Sequence, residues 1–146
     1  MTAVAHARRY APGDLIPTLQ ITPVSRATLA LFAGASNDHN PMHIDLDAAR
    51  AAGMDDVFAQ GMLPMAYLGR ALTNAFGPFA LCEFGVRFAA ITHVRDRLDC
   101  IGEVITAVDC ASGQRLNLKL TVINSRGEPT LIGDAVVEIN LEEQNV

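Results

Sequence analysis

The sequence predicts an α+β domain in which a curved antiparallel sheet wraps around one long helix, and three observations carry this. At 146 residues the chain suits one core and shows no linker, repeat or low-complexity tract, so residues 1–146 read as a single domain with a mobile N-terminus over 1–12. The stretch from Gly61 to Phe76 reads as the longest helical run, ended by Gly77-Pro78. Everything after it reads as strand, in successive runs joined by short turns, which is the pattern of antiparallel neighbours.

Each element has its own local reason. Leu15 to Thr22 has strand character, and Pro17, which cannot donate to a ladder, suits it to an edge. Ser25 is placed to cap a short helix through Leu29, Leu31 and Phe32, with Gly34 as its stop. A loop follows, after which Asp45 or Asp47 caps a second short helix over Ala48 to Ala52, halted at Gly53. Pro64 falls in the first turn of the long helix, where a missing N–H costs little, and Ala66, Gly69 and Ala71 are small enough for close packing on a sheet. The strands then run Cys82 to Ile91, Leu98 to Val108, Arg115 to Ile123 and Leu131 to Leu141. In the third, Leu116, Leu118, Leu120 and Val122 alternate with Asn117, Lys119 and Thr121, so one face is buried and the other wet. Ala111-Ser112-Gly113 and Ser125-Arg126-Gly127 are the turn signals that join the last three.

Composition narrows the class. A net charge of −5 gives no electrostatic footprint for nucleic acid or an anionic membrane surface. Cys82, Cys100 and Cys110 are odd in number, without metal-site spacing and set in strands, so they read as small core residues of a reducing compartment. The N-terminal stretch, with His6, Arg8 and Arg9, lacks an apolar signal region, and cytoplasmic residence is the expectation.

The chemistry concentrates in Asp38-His39-Asn40-Pro41-Met42-His43-Ile44-Asp45. A carboxylate and an imidazole stand five residues apart across a proline that has no N–H and pushes Asn40 toward extended geometry. Asp38 and His43 are therefore expected on a fixed bend, aimed at one point, rather than on a helix face. An Asx-rich loop with a structural His43 is the architectural alternative. A metal is not expected: Pro41 separates His39 from His43, no Glu follows His39, and the carboxylates lack the glycine and terminal Glu of a calcium loop.

The run Phe32 to Asp45 resembles the hydratase signature of the MaoC-like family, an aromatic and small residues followed by Asp-x-Asn-Pro-x-His-x-Asp. Gln60-Gly61-Met62-Leu63 is similar to that family's His-Gly-Met-Leu, and Val86-Arg87-Phe88 to its Val-Arg-Phe strand; the three occur in the family's order. Within it, the chain looks most like the catalytic subunit of heterodimeric (3R)-hydroxyacyl-carrier-protein dehydratases. The resemblance implies a hot-dog fold and reversible hydration of trans-2-enoyl thioesters, or dehydration of (3R)-hydroxyacyl thioesters, without a cofactor. It implies Asp38 and His43 as the acid–base pair and the backbone N–H of Gly61, at a helix start, as oxyanion donor.

Asn40 and Pro41 are expected to order the loop, and Gln60, Met62 and Met65, with Met54, Leu63 and Phe76, are candidates for the substrate pocket. Arg70, Arg87, Arg95 and Arg97 are basic side chains available to a CoA phosphate or an acidic carrier protein. The implied partners are an acyl-CoA or acyl-carrier-protein thioester and a second hot-dog subunit, identical or different, but neither nucleic acid nor membrane. Two other readings stand beside this one: a weakly active subunit that completes a heteromeric dehydratase, and a hot-dog thioesterase. Gln60 departs from the family's His before Gly61, and Val94-Arg95-Asp96 from its Pro-Gly-Asp turn.

Overall fold

The computed structural model describes residues 8–141. The chain begins with β1 (Leu19–Ile21), passes through α1 (Arg26–Ser36), α2 (Pro41–Ile44), α3 (Leu46–Ala51) and α4 (Met62–Phe76), and then forms β2 (Leu81–Phe88), β3 (Leu98–Cys110), β4 (Gly113–Asn124) and β5 (Pro129–Asn140). The strands make one antiparallel sheet in the order β1-β3-β4-β5-β2. Helix α4 lies on it and touches every strand. This is the hot-dog arrangement that the resemblance implied.

Period-two and helical patterns meet between α4 and the sheet. Leu116, Leu118, Leu120 and Val122 of β4 are buried, as are Leu63, Leu68, Ala71, Leu72 and Ala75 of α4. Burying a side chain of leucine or valine size contributes about 1.5–3 kcal/mol, so this interface is the main source of stability. Gly133 of β5 marks the closest approach of β2, since a Cβ there would stand 2.2 Å from the Gly85 carbonyl oxygen. Only glycine lets these two strands come so close.

Several expectations are corrected. Helix α1 continues past Gly34 to Ser36 and is closed by Asn37 in the left-handed region (φ 60°), so the asparagine does what the glycine was expected to do. Only Leu19–Ile21 of the first strand-like stretch forms a ladder, while Leu15 makes an isolated bridge to Glu103; the strand is at an edge, as Pro17 required. Ala66 is exposed and does not pack on the sheet. Of the cysteines only Cys100 is a core residue, its thiol pushed up to about 12 by burial, whereas Cys82 and Cys110 are exposed. Within the N-terminal stretch Tyr10 is buried: its N–H donates to Gln114 Oε1 at 2.9 Å, and its ring lies 5.3 Å from that of Phe76. His6 lies outside the described residues. Among the described residues no helix is long and apolar enough to cross a membrane.

Candidate active site

The segment from Ser36 to Asp47 is built by short side chains bonding their own backbone. Ser36 Oγ donates to the Phe32 carbonyl at 2.6 Å and accepts from Asp38 N–H at 3.2 Å. Asp38 Oδ1 accepts from Asn40 N–H at 3.3 Å, and Asn40 Oδ1 caps α2 by accepting from Met42 N–H at 3.1 Å. Pro41 is the first residue of α2, where its lost N–H is not needed. Asp45 Oδ1 then accepts from Asp47 and Ala48 N–H and caps α3. The bend exists, but His43 stands on the single helical turn that Pro41 starts, with Asp38 just outside it. Proline excluded a longer helix there, not a new one.

That turn carries His43 inward, to 8% exposure. Its Nδ1 lies 2.7 Å from the Phe58 carbonyl oxygen, and its ring meets the Phe58 ring edge-on, centroids 5.0 Å apart. A carbonyl only accepts, so Nδ1 carries a hydrogen, and Nε2 is left as the working nitrogen. Nε2 stands 4.0 Å from Asp38 Oδ2. That is too far for a direct hydrogen bond, yet one water oxygen at about 2.8 Å from each would bridge them.

Phe58 also lines a groove of about 320 Å³ whose walls include Gly61, Pro64, Phe88, Ile91 and Thr92. The lining is apolar except for Thr92 and backbone. Gly61 is the N-cap residue of α4, which has no side-chain cap. A Cβ on it would stand 3.1 Å from Phe88 Cε1, so glycine is what allows this ring to lie against the helix start. A helix N-terminus combines N–H donors with partial positive charge, the requirement for holding a developing oxyanion.

The other sequence candidates fall elsewhere. Gln60 is fully buried and not in the groove wall: Nε2 donates to the Leu29 carbonyl at 3.0 Å, and Oε1 has no partner among the described residues. Met62 is exposed and Met65 half-buried against the core; neither is in the groove wall. Leu63 belongs to the core, Met54 packs against it, and Phe76 meets Tyr10. Arg70 lies over the Tyr67 ring, and Arg87, Arg95 and Arg97 are exposed. Sequence reasoning missed Phe58, whose carbonyl and ring orient His43, and gave Phe88 no task. A lone aromatic between Val57 and Ala59 carries no signal for either role.

A family model described as MaoC like domain matches residues 9–124. A curated relative, a UPF0336 protein of Clavibacter michiganensis subsp. michiganensis, is 28% identical over 125 residues, 86% of this chain and 76% of its own. The unliganded (R)-hydratase PhaJ1 from Pseudomonas aeruginosa superposes with a TM-score of 0.83 at 24% identity, over 95% of this chain and 87% of its own. The ChsH1-ChsH2 complex from Mycobacterium tuberculosis supplies a chain similar at TM-score 0.77 and 22% identity, over 90% of this chain and 100% of that one. At these identities the two structures speak for the fold.

Proposed function

The chain belongs to the MaoC-like domain family, and on that premise we propose that it is a hydro-lyase acting on acyl thioesters, adding water to trans-2-enoyl groups or removing it from (3R)-3-hydroxyacyl groups. The observation that carries this reading is the pairing of His43 Nε2 with Asp38 Oδ2 across 4.0 Å, beside an apolar groove to which Phe58 belongs.

In hydration, a water held between the two groups gives a proton to the Asp38 carboxylate as its oxygen forms a bond to C3. The C2–C3 π pair moves toward the thioester carbonyl, whose oxygen takes up negative charge facing the Gly61 N–H. The enolate then collapses as C2 takes a proton from Nε2 of a His43 that entered as imidazolium, its Nδ1–H still donated to Phe58. Asp38 ends protonated and His43 neutral, and proton return between them resets the site. Dehydration is the reverse: neutral Nε2 removes the C2 proton while the Asp38 carboxyl protonates the departing hydroxyl. The apolar walls suit an acyl chain, and exclusion of bulk water strengthens the oxyanion contact.

The pairing partner is a second hot-dog chain. Strand β2 is an open edge eight residues long without proline, while β1, the other edge, has three. A long unpaired edge is normally covered, and joining β2 to its equivalent continues the sheet. Light scattering at micromolar concentration is expected to report a dimer, either of this chain alone or with its partner subunit; an active monomer contradicts this.

Incubation with crotonyl-CoA and longer enoyl-CoAs, following loss of enoyl absorbance, tests the activity. Turnover without release of free thiol is expected. Thiol release favours the thioesterase reading, and no turnover by the assembled protein, with any chain length or carrier, refutes the hydro-lyase.

A further inference from the structure

Phe58 orients His43, and the loop between β2 and β3 holds Phe58. Phe58 makes an isolated antiparallel bridge with His93, and the neighbouring Ala59 N–H donates to the Thr92 carbonyl at 2.9 Å. The segment around His93 is therefore the platform for the carbonyl that receives His43 Nδ1–H.

That platform is fastened by one buried carboxylate. The Asp96 side chain is 4% exposed. Its Oδ2 accepts from His93 N–H at 2.8 Å, while its Oδ1 accepts from Arg126 Nη1 at 2.8 Å, with Arg126 Nη2 3.5 Å from Oδ2. Arg126 sits in the turn between β4 and β5, which Asn124 closes by accepting from the N–H groups of Arg126 and Glu128, each at 3.0 Å. Glu128 lies 3.5 Å from the same guanidinium. On the opposite side, Arg95 N–H donates to the Val24 carbonyl and Val24 N–H to the Asp96 carbonyl, at 2.7 and 2.9 Å. A carboxylate so enclosed needs its cation, and an oxygen that serves both Arg126 and His93 N–H transmits the turn's position to the platform.

We infer that Asp96 and Arg126 are positioning residues for His43, holding the His93–Phe58 bridge so that the Phe58 carbonyl fixes the Nδ1–H form of the imidazole and aims Nε2 at Asp38. Neither touches substrate. The inference rests on the hydro-lyase reading for its kinetic consequence, but its structural part stands without it.

The test uses the assembled protein carrying ¹⁵N-labelled histidine, with the His43 resonances assigned by loss in His43→Ala. At a pH where the ring is neutral, NMR is expected to show His43 of the wild type in the Nδ1–H tautomer. Arg126→Gln, an exchange at a half-exposed side chain, is expected to give a mixture of tautomers and a kcat about 10- to 100-fold lower with KM within about twofold, the signature of a misaimed group. Asp96→Ala should do the same where it folds, and Arg126→Lys, which keeps a cation opposite Asp96, should return kcat to within about threefold of wild type. A folded Arg126→Gln with the wild-type tautomer overturns the inference, as does a kcat that falls only with the folded fraction measured by circular dichroism. If the wild type turns over no enoyl thioester, the hydro-lyase reading fails, while the tautomer comparison still decides whether Asp96 and Arg126 govern His43.

Discussion

The Ser36–Asp47 arm and the β3–β4–β5 meander are held in opposite ways. In the arm, side-chain hydrogen bonds join residues two to four apart, and His43 to Phe58 is the tie that reaches further. In the meander, backbone ladders run the length of three strands, from Cys110 with Gly113 at a turn to Leu98 with Asn124 at the far end, and buried leucines lock the sheet onto α4. Local bonds shape most of the arm, and the Phe58–His93–Asp96–Arg126 chain is where the meander's β4–β5 turn reaches it, so the proposed chemistry and the stability rest largely on different residues. A region that must offer unpaired polar atoms to a substrate cannot also be the region that supplies the burial.

The largest expected effect breaks the arm without touching the meander. Asp38→Asn and His43→Ala should each lower kcat by about 10²–10⁴-fold, the usual contribution of a positioned acid or base, with Tm nearly unchanged in Asp38→Asn and lowered modestly in His43→Ala, whose ring is buried against Phe58. The double variant should be little worse than the poorer single one, because both groups serve one transition state. Folded single variants with full turnover refute the catalytic assignment.

Leu120→Ala reverses the experiment. Removing a fully buried leucine from β4 should cost about 2–5 kcal/mol, read from denaturant unfolding, while kcat of the protein that remains folded stays near wild type. Loss of kcat without loss of stability would show that the sheet core itself, and not only the β4–β5 turn, is coupled to the site.

Gly61→Ala probes where they meet. The added methyl must displace the Phe88 ring from 3.1 Å, narrowing the groove at the helix start, so kcat/KM should drop about 10-fold with stability changed little. An unchanged kcat/KM would remove Gly61 from the site.

The smallest effect concerns Arg95, held at φ 74° beside the platform. Left-handed backbone disfavours a residue with a Cβ, so Arg95→Gly should stabilise by about 0.5–1 kcal/mol, visible as a modest rise in Tm with kcat unchanged. A fall in Tm would mean that the arginine side chain makes a compensating contribution.

The period of the pattern makes the sheet and α4 legible in the sequence, because alternation in β4 and the run ended at Gly77 are consequences of burial on one face. Asp38 and His43 stand out by their spacing across Pro41, whereas Gly61 enters only through the resemblance of Gln60-Gly61-Met62-Leu63 to the family's motif; the roles of all three belong to the proposal. The errors share a cause, which is that the deciding partner is distant or the signal ambiguous. Gly34 looked like a helix stop, but its backbone is helical and Asn37 takes the left-handed position. Cys82 and Cys110 sit in strands, yet a strand at an edge or end exposes what a central strand buries. Nothing in Asp96 itself marks it as buried, since its enclosure depends on Arg126 and Val24 arriving from two other segments. Gln60 was read as a groove residue from its neighbour Gly61, but successive residues at a helix start point in different directions, and its amide turns back to Leu29.

The strand order has a consequence in time. Hairpins β3–β4 and β4–β5 join neighbours in sequence and close through short loops, whereas β2 must find β5, and β1 must find β3 through pairs such as Leu19 with Cys100. Closing long loops is entropically costly and slow, so the C-terminal meander is the natural nucleus, with β1, β2 and α4 docking onto it. A ribosome delivers the parts in the reverse order. Asp38 and His43 emerge before β3, β4 and β5 exist, and a nascent chain exposes the apolar face of α4 until the meander is made. The residues proposed to do the chemistry are thus synthesised early and put in position last.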